Sequence, residues 1–390
     1  MKKWICLLLL AVLCFSLVAC RGNGDDSSVP APPVSNTPSE SEPEEDLPRL
    51  EAAYLTGMEK TADYPEGQRI AAVMVNNVPS TRPAYGLSDA KILIEIDGNA
   101  SITRFMALYE DYKTMPRVGG VRSARDPFVQ LLIPTYGFYV HEGPSENQPA
   151  RLMLQQYDYY GNYDLDSVVW KQSDRNAKTY SWFNTDAETI TKAVESRGYD
   201  DKRTYNSPFF YFARYDQPAR LPEEGDATEF TIVLTPSYRT YFDYDDASKK
   251  YMMSMYNSST NMVEPTLDGN NDVQLSFENV LVMFAPMSIY PNTGGEQLTN
   301  VDFSQGGPAF YFSQGRFAGV LWRKGAPDSP LRLEKTDGSG DPVEVNVGKT
   351  YIAVVDDTRS EDFYNSLVAG PAGETAMGGQ QTGGEVDSAD

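Results

Sequence analysis

The residues of this chain with the greatest potential for chemistry are Arg122, Ser123, Arg125 and Asp126, followed by His141 and Glu142. Guanidinium groups carry fixed positive charge and a planar fork of donors that matches carboxylate and phosphate oxygens. With His141 beside them as a general base, the two arginines would steady the negative charge that develops on a phosphate ester or carboxylate substrate. Without a working base, the same group is a binding site for an anion. Ser123 reads as a helix N-cap, with Asp126 three residues on and Pro127 suited to a first turn, so free amides and a positive helix end would add to the arginines. Ser145 and Asn147, in the loop after the histidine, are candidate second contacts.

These residues meet only if the elements between them fold back. A helix over 123–133 that reverses through 134–137 into a strand over 138–142 gives an antiparallel pair, each member about 16 Å long. His141 is then expected near Arg122 and Arg125. The loop over 143–149 opens at the same end, where ligands collect in open α/β sheets. Plainer readings compete at each position. Arginines at a helix start pair with local carboxylates, here Asp126 or Glu142, and a histidine at a strand end can be a hydrogen-bonded structural residue. Arg82, Arg104 and Arg117 would add positive charge if their strands neighbour the site.

The wider pattern predicts an N-terminal α/β domain with short helices and a mixed sheet, over 49–225, then a mostly antiparallel β domain over 226–360. Strands are expected at 70–75, 91–96 and 102–109, and helices at 123–133, 145–157 and 185–197. Thr185 and Glu188 form a capping-box pair for the last helix, and Gly198 stands just past its end. Beyond about 225 the helical signals stop. Short β-rich runs at 230–234, 241–244, 251–255, 280–284, 309–312, 317–322 and 350–355 are separated by Gly, Pro, Asn and Asp, with a hairpin expected around 245–248. Residues 361–390 read as an acidic, Gly-rich tail without structure.

The N-terminus is punctuated for export. Lys2 and Lys3 precede an apolar stretch over 4–18 that is too short to span and stay, and a small residue, Ala19, precedes Cys20. The sequence Leu17-Val18-Ala19-Cys20 resembles the lipobox of bacterial lipoproteins. That resemblance implies removal of residues 1–19, palmitate-type acylation of Cys20 through a diacylglyceryl group and attachment to the lipid bilayer on the extracytoplasmic face of the cell membrane. Residues 20–48 contain no aromatic residue and read as a disordered tether with a reach on the order of 30 Å. The chain's three cysteines, Cys6, Cys14 and Cys20, fall at or before the cut, and His141 is its single histidine. No metal and no cofactor is expected from that inventory. The formal net charge of −22 excludes a general attraction to nucleic acid, so any anion that binds must meet a local basic cluster.

Other features carry less. The Tyr-rich segment over 199–215 could stack on sugar rings or pack between two domains. Asp164, Asp166, Glu95 and Asp97 could be paired carboxylates or the solvated faces of strands. The run Asp268-Gly-Asn-Asn-Asp272 lacks the spaced ligands of a calcium loop and reads as a turn. No nucleophile elbow, Walker loop or dinucleotide fingerprint is present.

Three stretches occur in order: Gly119-Gly-Val-Arg-Ser-Ala-Arg-Asp126, Phe138-Tyr-Val-His-Glu-Gly143 and Gly348-Lys-Thr-Tyr-Ile-Ala-Val-Val355. Together they are similar to the YerB-like lipoproteins, an envelope family with an N-terminal mixed domain and a C-terminal β-rich domain. The resemblance implies the fold and no activity, and no catalytic residue is carried over from it. The sequence therefore supports an extracytoplasmic lipoprotein that binds an anionic cell-wall component or an envelope protein at the end carrying Arg122, Arg125 and His141. An envelope hydrolase or transferase with His141 as base is the alternative.

Overall fold

The structure, a computed structural model, describes residues 50–99, 101–144, 148–172, 183–291 and 295–369. The expected signal peptide, Cys20, the expected tether, Ser145, Asn147 and the chain beyond 369 lie outside the described residues.

The N-terminal half contains β1 (Ala71–Asn76), β2 (Ile92–Asn99), β3 (Ile102–Tyr109), β4 (Val118–Gly119), α1 (Asp126–Leu132), β5 (Phe138–His141), α2 (Pro149–Gln156), β6 (Asp164–Asp166), β7 (Trp170–Lys171), β8 (Phe183–Thr185) and α3 (Ala187–Arg197). The C-terminal half contains β9 (Gly225–Asp226), β10 (Glu229–Thr235), β11 (Tyr238–Asp245), β12 (Lys250–Asn257), β13 (Met262–Pro265), β14 (Ser276–Phe277), β15 (Asn279–Ala285), β16 (Met287–Ile289), β17 (Thr299–Val301), β18 (Gly307–Ser313), β19 (Arg316–Arg323), β20 (Arg332–Glu334), β21 (Thr350–Asp356) and α4 (Ser360–Ala369).

The fold is α+β, with few helices, a mixed sheet in the N-terminal part and antiparallel pairing through most of the C-terminal part. One sheet of eleven strands runs β20-β19-β18-β15-β21-β2-β3-β1-β5-β6, with β9 added to β19. Its centre joins the two halves. β21 lies between β15 and β2 and is parallel to both, with Leu93 opposite Tyr351. The two domains expected from sequence thus share a sheet, and the described residues fall in one compact unit. The change of pattern near 225 is a change of local structure, because a strand contributed at 350–356 completes the sheet begun at 71–109.

Both faces of the large sheet are covered, which explains strands without alternation. Every residue of β1 is buried, as expected of a strand between two layers. One face packs Val73, Phe105, Phe284 and Tyr351 beneath the antiparallel sheet β10–β14 and the helices α3 and α4. The other packs Met74, Ile94, Met106 and Ile352 beneath α1, α2 and the segment carrying Phe210 and Phe212.

Three local expectations are corrected. Helix α1 begins at Asp126 with Arg125 at the N-cap position and no side-chain cap, so Ser123 does not cap it. The cap of α3 is Asp186, whose carboxylate accepts from the Thr189 amide at 2.8 Å, rather than Thr185. Residues 361–369, expected in the unstructured tail, belong to α4, which buries Phe363 against Phe310 and Phe312 and adds Leu367 to the same core. The apolar spacing Phe363…Leu367 is i, i+4, a helical pair that the acidic residues around it obscure.

Candidate functional site

The turn from α1 into β5 brings the expected segments together at the backbone. The Glu142 amide donates to the Arg122 carbonyl at 3.1 Å, and the Ala124 amide donates to Gly143 at 3.1 Å. Gly143 has φ +83°, and a Cβ there would lie 3.3 Å from the Ser123 hydroxyl, so this crossing depends on glycine. Ser123 therefore serves the crossing.

The side chains then part. His141 is fully buried and turns toward β6 and α2. Its Nε2 lies 2.6 Å from Asp164 Oδ1, and its Nδ1 meets the Gly143 carbonyl, with Asp166 Oδ1 at 3.3 Å. Arg151 closes the group from α2, reaching Asp164 at 3.3 Å and Asp166 at 2.5 Å. Asp166 also accepts from the Gly143 amide at 2.9 Å. Each ring nitrogen faces an acceptor, and neither is presented to solvent, so His141 cannot take a proton from a bound substrate in this arrangement. Its expected role as a base, and its place in the ligand site, are corrected: the histidine is a structural hub that ties β5, β6 and α2. The same geometry assigns Asp164 and Asp166 to that hub. Glu142 is raised above the usual carboxylate range by burial and by the nearby Asp166 charge, and forms no ion pair with the arginines among the described residues.

The arginines gather on the other side, with a partner that sequence reasoning named only conditionally. Arg104 stands on β3 opposite Asn76 of β1 and is 7% exposed. Arg125 is 3% exposed and directs its Nε to the Asn99 side-chain oxygen at 2.7 Å, while a terminal nitrogen of Arg104 approaches the same oxygen at 3.4 Å. A second Arg125 nitrogen donates to its neighbour's carbonyl, Ala124, at 2.8 Å. The buried Arg104 Nε has no hydrogen-bond partner. Burial, together with repulsion from Arg125 and Arg122, lowers the Arg104 pKa well below the ordinary arginine value, and Arg125 is lowered by burial as well.

Glu296 approaches Arg125 at 3.5 Å from the half-exposed loop between β16 and β17, and is the carboxylate of the described ion pairs that reaches the cluster. Asp126 does not supply the pairing expected of it: its carboxylate accepts from the Tyr290 hydroxyl at 2.8 Å, and burial raises its pKa to about 7. Gly98, at the end of β2, lets the arginines lie against the hairpin, since a Cβ there would meet Arg125 Cγ at 3.3 Å and Arg104 Nε at 3.4 Å. The other two conditional arginines go elsewhere. Arg82 binds Asn77 and the Tyr256 carbonyl, and Arg117 lies over the Tyr85 ring at 3.6 Å.

Glu95 and Asp97 are not a catalytic pair. Glu95 is wholly buried and accepts from Asn77, Thr103, Thr240 and Tyr351, whereas Asp97 accepts from the amides of Asn99 and Ser101 in the hairpin turn. Asp268 is buried in a turn, where it receives the amides of Gly86, Ser88 and Asn270.

A large mixed sheet completed by a late strand, with Arg104 and Arg125 buried at one end and the lone histidine held in an ion network, defines an α+β protein with a group of arginines at one end of its sheet. The chain belongs to the YerB-like family. Family models described as the N-terminal and C-terminal domains of a protein of unknown function (DUF3048) match residues 55–200 and 230–352. The Bacillus subtilis (strain 168) protein named "Putative lipoprotein YerB" is 28% identical over 325 residues, covering 83% of this chain and 88% of that protein. The crystal structure of YerB from Bacillus subtilis matches with a TM-score of 0.63 at 25% identity, covering 79% of this chain and 97% of the other.

Proposed function

We propose that this protein is an extracytoplasmic lipoprotein, held on the bilayer through diacylated Cys20, that binds an anionic component of the cell envelope at Arg104, Arg122 and Arg125. The anchor rests on the lipobox-like Leu17-Val18-Ala19-Cys20 and on the likeness to a relative named as a lipoprotein. Among the described residues no helix is long and apolar enough to cross a membrane.

The observation that carries the binding reading is the electrostatics of Arg104. A guanidinium with a buried, unpartnered nitrogen, set among two further arginines, is held at a cost that an anion would offset. Folding alone would replace such a group by an apolar side chain of similar volume, so a ligand that supplies the missing charge gives a reason to keep it. Titration of the full chain in detergent with glycerol phosphate and teichoic-acid fragments tests this, comparing wild type with Arg122→Ala, Arg125→Ala. Binding that the double substitution abolishes supports the reading, and equal affinity in both proteins refutes it.

A further inference from the structure

A second pocket, remote in its residues from the arginine cluster, has chemistry of its own. A cavity of about 470 Å³ lies where the N-terminal segment meets the chain after α3, with Tyr54, Tyr64, Glu110, Arg203, Tyr205 and Asn206 among its lining. That volume falls within the range of small-molecule sites, roughly 300–1,000 Å³. The Tyr54 and Tyr205 rings stack at 3.8 Å with 20° between their planes. Tyr64 donates its hydroxyl to the buried Glu110 carboxylate at 2.6 Å, and the same carboxylate receives the Leu55 amide at 3.1 Å. The aromatic lining is thereby fixed before any ligand arrives.

Arg203 is the unmatched group. Its guanidinium lies over the Tyr136 ring at 4.1 Å and within 5.8 Å of the Tyr205 ring centre, and its buried Nε has no hydrogen-bond partner. Its backbone is fixed, since the Arg203 amide donates to Gly67 at 2.8 Å and Lys202 bridges to Gln68. Lys60, the other cation of the pocket, is occupied by Glu66 and Glu51. A guanidinium with its face on an aromatic ring keeps its in-plane edge for recognition, and that edge fits a carboxylate through two parallel hydrogen bonds. The Glu110 carboxyl, raised by burial, opposes any anion in the pocket when ionised, and a dianion such as phosphate more strongly than a singly charged carboxylate. The remaining wall is mixed: Thr204, Asn206 and Ser207 suit hydroxyl groups, and Leu50, Ile70 and Pro208 add apolar surface of the kind a sugar ring presents on its C–H face.

We infer that this pocket binds a pyranose ring that bears a carboxylate, with the ring against the tyrosine lining and the carboxylate on the edge of Arg203. The site is independent of the arginine cluster. The test is calorimetric titration of the full chain in detergent with three probes: N-acetylmuramic acid, N-acetylglucosamine, which is the same ring without the carboxylate, and lactate, which is the acid without the ring. The acidic sugar is expected to bind at least roughly tenfold more tightly than N-acetylglucosamine, a ratio typical of one charge-assisted contact, with no measurable heat from lactate. Arg203→Gln should reduce the acidic sugar to the affinity of the neutral one. Arg203→Lys, which keeps the charge and loses the fork, should fall between them at an unchanged melting temperature, and Arg104→Met should leave sugar binding intact. Equal affinity for both sugars, unaltered binding in Arg203→Gln, or no binding of either sugar at millimolar concentration overturns the inference.

Discussion

Arg104 and Arg125 converge on one acceptor, the Asn99 side-chain oxygen, at 3.4 and 2.7 Å. Two buried cations sharing a neutral oxygen is a poor electrostatic bargain for folding, because desolvation and mutual repulsion both oppose it. The arrangement follows from the register of the β2–β3 hairpin, which sets Asn99 opposite Ile102 and Ile96 opposite Arg104.

Removing one of these charges is therefore expected to stabilise the protein while disabling the proposed site. Arg104→Met should raise the unfolding free energy by about 1–3 kcal/mol, the scale seen when buried ionic groups yield to apolar ones. It should also abolish binding of phosphate-containing probes. Asn99→Asp should stabilise as well, by supplying the missing carboxylate, and should compete with any anionic ligand. Chemical denaturation and titration on the same samples check both. A destabilised Arg104→Met protein would show that the arginine is structural.

The histidine network makes the opposite forecast. His141→Ala leaves Asp164, Asp166 and Arg151 without their central partner in a buried position, which is expected to cost about 3–5 kcal/mol. Anion affinity of the folded fraction should stay within about twofold of wild type, well under the tenfold step of a lost charged contact. A large loss of affinity at unchanged stability would return His141 to the site.

Asp126 gives the protein a pH dependence of known sign. Burial raises its carboxyl in the folded state to about 7, while the unfolded chain releases that proton near 4. Between these values the folded state binds more protons, so this contribution to stability is present in acid and is lost as pH rises toward neutrality, on the order of 1 kcal/mol per pH unit. Glu95 and Glu110, also raised by burial, act in the same direction. Melting temperatures measured between pH 5 and 7, which lies inside the window from about 4 to 7, should fall as pH rises, and Asp126→Asn should flatten part of that fall. A wild-type profile that rises over the same interval contradicts the assignment.

The shared sheet predicts cooperative unfolding. Glu95 on β2 accepts the Tyr351 hydroxyl at 2.5 Å and that of Thr240 at 3.1 Å, so a wholly buried carboxylate ties the first half of the chain to strands of the second. Calorimetry should show a single transition, and a chain ending at residue 225 should not fold, because β2 would lose its parallel neighbour β21. Two resolved transitions would establish separate domains.

Much of the fold was legible locally. Strands at 71–76, 92–99 and 102–109, the hairpin across Asp245 and Lys250, and the end of α3 at Gly198 with φ +66° follow from side-chain pattern and turn chemistry. The α+β class and the YerB-like family were likewise readable from motif order. The helix at 360–369 was hidden by its acidic exposed face, and the sharing of one sheet was hidden because parallel pairing of β21 leaves no mark on the residues near β2.

By itself, the sequence determined where strands and helices form and confined the candidate anion site to a few arginines, because periodicity and capping act over neighbouring residues. Only the tertiary structure decided which charges meet. The partner of a buried guanidinium or imidazole is set by strand order and by the face on which each side chain emerges. That is why Arg104 joined Arg125 at Asn99, while His141, on the strand that follows α1, went to Asp164.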